Sequence, residues 1–159
     1  MTVQEVLSRF FCYRNGEVAK TYKNAGVPYT RIFGLQLPQI AEIAREIGYY
    51  PELAAQLWEM KECREARLLA CYLFDPVTLL ESEALTLAAS VRTREETDIL
   101  CWRLLRRLPY AHTLLTTLES TAGSSEAAPP PSSTPASPNL AITHFDPYIA
   151  EALRRNLAP

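Results

Sequence analysis

Pro51-Glu-Leu-Ala-Ala-Gln-Leu-Trp-Glu-Met60 followed by Lys61-Glu-Cys-Arg-Glu-Ala-Arg-Leu-Leu-Ala-Cys-Tyr-Leu-Phe74 reads as two consecutive helices, each apolar along one side. In the first, Leu53, Leu57 and Trp58 recur at helical spacing; in the second, Leu68, Leu69, Tyr72 and Leu73 do the same. Two such one-sided helices joined by a tight turn must bury their stripes on each other and on neighbours, which is the logic of stacked α-hairpins.

Working outward, helix signals recur along the chain and strand alternation is nearly absent, so the fold class is all-α. Thr2 and Glu5 form a capping box ahead of Val6, Leu7, Phe10 and Phe11, with Gly16 as the expected end of that helix. A second helix is expected from Glu17 to Ala25, a loop over Val27–Gly34, and a third helix from Pro38 to the Gly48 stop. Asp75-Pro76 marks a further start, broken near Ser82. Thr93 and Glu96 make another capping box, opening a helix expected to run to Leu108 before Pro109. A helix from Tyr110 to Leu118 follows. The expected repeat is one hairpin per roughly 35–45 residues, in the HEAT range.

From Ser120 to Pro138 the composition turns to Ser, Thr, Ala, Gly and Pro, including Pro129-Pro130-Pro131, which is expected to be a flexible linker. The expected organisation is a helical-repeat domain over 1–118, a linker over 119–146 and a short helix over 147–159, either docked or loose. With 159 residues, 48% hydrophobic, the chain has material for one sizeable core. No run reaches the ~18 apolar residues of a membrane span, and the N-terminus lacks a basic-then-apolar leader, so the expectation is a cytoplasmic protein with no membrane partner.

Cys12, Cys63, Cys71 and Cys101 lie singly among apolar residues without metal-ligand spacing, which points to reduced thiols. His112 and His144 have no spaced partner, and with five glycines there is no phosphate loop. No metal and no cofactor is therefore expected. The net charge of -2 argues against global steering toward nucleic acid, but through Leu118 the charges balance, and Cys101–Leu118 contains three arginines and no acid.

Phe33-Gly34, Leu37-Pro38-Gln39-Ile40, Ile43-Ala44, Leu53-Ala54, Leu57-Trp58 and Arg64-Glu65-Ala66-Arg67-Leu68-Leu69-Ala70, in that order, resemble the AlkD-like DNA alkylation-repair family over about residues 8–118. The resemblance implies HEAT-like hairpin repeats in a right-handed curved superhelix, an α-solenoid with a basic concave face that binds duplex DNA. Active members release alkylated purines. They carry an aspartate near a helix start, which corresponds to Asp98, and a tryptophan one turn earlier, where this chain has Arg94. The arginine and second tryptophan of later repeats have no counterpart before the Ser/Pro-rich stretch, so weak or absent base excision is expected.

Asp98 is the candidate catalytic group, able to stabilise positive charge on a sugar as a base departs; an acid in the first turns of a helix also simply suits the dipole. Arg64, Arg67, Arg94, Arg103, Arg106 and Arg107 are the candidate DNA-binding residues. Arg103, Arg106 and Arg107 are spaced to share one helix face, offered to phosphates or to solvent. Arg67 equally suits a pairing inside the stack with Glu65 or Asp98. Trp58 and Trp102 are expected in the core, and Tyr22 and Tyr29 either reach a ligand or cover the core. The alternative function is a noncatalytic scaffold holding a protein or peptide partner on its curved surface.

Overall fold

The structure, a computed structural model, describes residues 1–123 and 147–157. The expected linker from residue 124 onward and His144 lie outside the described residues. Among those residues the chain is all-helical: α1 Val3–Cys12, α2 Gly16–Asn24, α3 Leu37–Ile47, α4 Pro51–Trp58, α5 Arg64–Leu73, α6 Glu81–Ala89, α7 Arg94–Arg103, α8 Ala111–Gly123 and α9 Pro147–Leu157. A 3-10 turn, Leu105–Arg107, follows α7. The chain divides into two compact units, Met1–Thr78 and Leu79–Pro159. α8 continues past Leu118 to Gly123, and α9 packs on α7 and α8 within the second unit.

In the first unit the opening stretch is the hairpin its periodicity demands. α4 packs on α5, and the Tyr50 N–H donates to the Leu73 carbonyl at 2.9 Å, joining the start of one helix to the end of the other. Leu53, Leu57, Leu68, Leu69 and Leu73 are buried. α3 lies against the other side of α5, so α5 is enclosed almost all round, and Arg64, Glu65 and Arg67 at its first turn are buried with it. The loop before α3 is pinned to this turn by Arg31 N–H to Glu62 O at 2.9 Å and Arg64 N–H to Arg31 O at 3.2 Å.

Helix ends follow local chemistry. The Thr2–Glu5 capping box forms in both directions, at 2.6 and 3.2 Å, and Gly48 ends α3 at φ 77°. Two expectations are corrected. Gly16 opens α2 instead of closing α1, because Asn15 Oδ1 accepts the Glu17 and Val18 N–H groups as an N-cap. Asp75 starts no helix, because its carboxylate takes the Val77 N–H at 2.9 Å in a turn two residues on, and α6 begins only at Glu81.

In the second unit, Ile149, Ala150, Ala152 and Leu153 of α9 are buried beside Leu100, Cys101, Leu114 and Leu118. The Cys63, Cys71 and Cys101 thiols are buried and Cys12 is exposed. Burial pushes Cys63 up to about 11 and Cys101 up to about 12, so neither supplies thiolate near neutrality. Maleimide labelling at pH 7.5, read by mass spectrometry, is expected to modify Cys12 within minutes and Cys63, Cys71 and Cys101 only after denaturation. Rapid modification of two or more thiols in the folded chain would contradict this burial. No described helix is long and apolar enough to cross a membrane.

Candidate functional site

α7 positions the candidate carboxylate. Thr93 caps it, its hydroxyl oxygen accepting the Glu96 N–H at 3.2 Å, while the buried Glu96 carboxylate accepts the Arg92 N–H at 3.1 Å. With Glu96 and Thr97 buried, the opposite side of the helix faces solvent, and Arg94, Asp98 and Trp102 follow one another along it at four-residue steps. Arg94 and Asp98 are exposed, and Trp102 is 48% exposed. The placement of Trp102 overturns its expected burial; Trp58, at 3%, is the core tryptophan. The sequence carried the signal, since Trp102 stands on the same four-residue stripe as two charged residues.

α9 completes the site. The Tyr148 hydroxyl donates to Asp98 Oδ1 at 2.9 Å, and Arg155 Nη2 donates to the Tyr148 oxygen at 3.3 Å. The Arg94 guanidinium lies 4.8 Å from the Tyr148 ring centroid and that of Arg155 lies 5.6 Å from it. The Arg155 pKa is raised above its ordinary value, first by its hydrogen bond to Tyr148. Together Asp98, Ile99, Trp102, Tyr148, Ala152, Arg155 and Asn156 line a shallow cleft of about 390 Å³. Tyr148 and Arg155 had no local sequence signal, because both follow the Ser/Pro-rich stretch and reach Asp98 only by the docking of α9. A carboxylate flanked by two aromatic rings and two guanidinium groups can hold a cationic or electron-poor ring against the acid while the arginines meet phosphates.

The remaining candidates separate. Arg64 and Arg67 have no exposed surface, so they are withdrawn from the phosphate-binding set. Arg64 Nη1 donates to the Leu35 carbonyl at 2.8 Å and to Glu65 Oε1 at 3.2 Å, and its Nη2 donates to the Tyr22 hydroxyl at 2.8 Å. Arg67 donates to the Trp58 carbonyl at 2.6 Å and stacks 3.7 Å above the Trp58 indole, which ties it into the interior of the first unit. Tyr22 and Tyr29 are thus part of the core's cover, with Tyr29 buried.

The expected helix over Thr93–Leu108 also breaks. Leu104 leaves helical geometry at φ -124°, ψ -64°, so Arg103 ends α7 while Arg106 and Arg107 lie on the 3-10 turn. The three do not share one α-helix face. Arg103 is half-buried, Arg106 donates from Nε to the Trp102 carbonyl at 2.7 Å and stacks 3.7 Å from its indole, and Arg107 is exposed. Among the described residues no cluster of His, Cys, Asp and Glu is arranged to hold a metal ion.

Compared with known proteins, residues 6–126 match the family of DNA alkylation repair enzymes. No curated protein and no solved structure matches the chain.

Proposed function

Since the chain belongs to the DNA alkylation repair enzyme family, we propose that it binds duplex DNA through the arginine-bearing face of its second unit, with weak or no base excision. The observation that carries the proposal is the Asp98 cleft, where an exposed carboxylate sits between Tyr148 and Trp102 with Arg94 and Arg155 beside it. Arg94 and Arg107 are exposed and suited to phosphate contact, which supplies affinity independent of sequence. Weak chemistry follows from two features. Asp98 Oδ1 already accepts the Tyr148 hydroxyl, which makes it a poorer base toward water, and Arg94 occupies the turn before Asp98 where active members carry an indole. Trp102, one turn after Asp98, keeps an aromatic ring on the same helix face but on the other side of the acid.

Binding to a short duplex across a salt series tests this. The double variant Arg94→Ala/Arg107→Ala removes two exposed cations without touching the core, and the slope of log K against log salt is expected to become shallower by about 1.8. Release of a methylated purine from the same duplex is expected to stay near background and to be unchanged by Asp98→Asn. Absence of binding by the native chain at low salt would remove the duplex reading and leave a protein or peptide as partner. Release that Asp98→Asn abolishes would make Asp98 catalytic.

A further inference from the structure

The first unit holds a second and larger cleft, of about 610 Å³, between α1, α2 and the loop before α3. Its walls combine two kinds of surface. Phe11, Ile32 and Phe33 form an apolar, mainly aromatic patch, and Arg14, Lys20 and Lys23 stand around it. Phe11 is 56% exposed, and the Arg14 guanidinium is held 3.9 Å from its ring centroid by an Nη1 bond to the Phe11 carbonyl at 2.8 Å. No carboxylate lines the cleft among the described residues; Glu17 lies one turn before Lys20 and is outside the lining.

The cleft is preformed. The Asn15 N–H donates to the Phe33 carbonyl at 2.8 Å, and buried Glu65 Oε1 accepts the N–H groups of Gly34 at 2.8 Å and Leu35 at 3.3 Å. Phe33 is therefore pinned from the α1–α2 turn on one side and from α5 just after it, so little ordering is left for a ligand to drive.

We propose that this cleft binds single-stranded DNA, taking one unstacked base against Phe11, Ile32 and Phe33 and the adjoining phosphates on Arg14, Lys20 and Lys23. An aromatic wall ringed by cations is what sequence-tolerant strand binding uses, because every base has a π-face and every nucleotide a charge. A base stacked within a duplex cannot present that face. A free nucleotide suits the cleft less well. Lys20 and Lys23 lie along α2 while Arg14 lies before it, spreading charge beyond one phosphate, and the Glu17 and Val18 N–H groups that would cradle a phosphate are already taken by Asn15. The assignment goes beyond the duplex reading of the Asp98 face and does not depend on it.

The test is fluorescence anisotropy of the full chain with a labelled oligothymidylate, with folding of each variant checked by far-ultraviolet circular dichroism. Phe11, Lys20 and Lys23 are all exposed, so their alanine variants are expected to fold. Phe11→Ala is expected to weaken strand binding roughly fivefold to a hundredfold. Lys20→Ala/Lys23→Ala is expected to make the salt slope shallower by about 1.4. Arg94→Ala/Arg107→Ala, which lies outside this cleft, separates the two sites: strand binding is expected to weaken more in Lys20→Ala/Lys23→Ala than in this second double variant.

No strand binding by the native chain would overturn the proposal, and so would folded variants that bind as tightly as the native chain. Loss of strand binding in the Arg94/Arg107 variant would place the strand on the other face. Competition by thymidine monophosphate as effective as that of the strand would make the ligand a free nucleotide. Competition by polyglutamate matching the strand would make the cleft an acidic-peptide site.

Discussion

Arg64→Ala is expected to destabilise the first unit by about 3–5 kcal/mol, the cost of removing one partner from a buried charge pair. Both Arg64 and Glu65 are fully buried, and the arginine is bonded to Glu65, to the Leu35 carbonyl and to the Tyr22 hydroxyl while its guanidinium lies 3.9 Å over the Tyr22 ring. Without it, the Leu35 carbonyl loses a charged donor and the Glu65 carboxylate remains in the interior on the Gly34 and Leu35 N–H groups. The desolvation of that carboxylate is already incurred, so its loss of neutralisation falls directly on stability. The surface pair Arg9–Glu46 gives the reference, because both side chains reach solvent and such pairs contribute less than ~1 kcal/mol. Urea unfolding of the native chain, Arg64→Ala and Arg9→Ala measures the difference. A cost for Arg64→Ala no greater than that for Arg9→Ala would show that the buried network does not hold the unit together.

Gly34→Ala is expected to be comparably damaging for a different reason. Gly34 has φ +88°, and a Cβ built there would lie 2.1 Å from the Asn15 carbonyl oxygen and 2.9 Å from the Ala19 nitrogen. Both are backbone atoms, so the overlap is relieved only by moving the α1–α2 turn off the loop, breaking the Asn15 to Phe33 hydrogen bond. The positive φ alone costs an alanine about 1–2 kcal/mol, and displacement of packed backbone adds about 1–3 kcal/mol. Gly26→Ala isolates the first contribution, since Gly26 has φ +79° and nothing within 4 Å of its added Cβ. Thermal unfolding of the two variants should show Gly34→Ala losing clearly more than Gly26→Ala. Equal losses would mean that the loop and the turn are not in contact at Gly34. Because the same contact pins Phe33, Gly34→Ala is also a probe of the basic cleft where the variant still folds.

Much of the fold was legible because it depends on short-range chemistry. The Pro51–Phe74 hairpin follows from two apolar stripes and a proline at the first helical position, and the Thr2–Glu5 box and the Gly48 stop are each local. Errors arose where two local signals competed. Gly16 read as a stop, but the Asn15 side chain before it was the stronger signal, an N-cap. The apolar run through Leu108 read as one helix, although Leu104 leaves helical geometry and the chain passes into a 3-10 turn, with Leu104 and Leu105 both fully buried.

The candidate site was legible in one residue. Asp98 stands in a cleft, as an exposed acid on a helix start can, but its partners come from α9, some fifty positions along the chain, and no local pattern announces them. The arginines show the limit most clearly. Arg64, Arg67, Arg103 and Arg107 are equivalent in sequence, as charged residues at helical spacing, yet the first two are fully buried, Arg103 is half-buried and Arg107 is exposed.

The amino-acid sequence by itself determined that the chain is helical, where most helices begin and end, and that α4 and α5 must pair, because capping bonds and apolar periodicity act over a few residues. The tertiary structure alone decided which charges are structural and which are available to a ligand. α5 is enclosed by α3 and α4, so its polar first turn had to become a hydrogen-bonded network, while α7 is covered on only one side and leaves Arg94, Asp98 and Trp102 in solvent. Desolvation is set by what packs around a side chain, and that is fixed by neighbours far away in the chain.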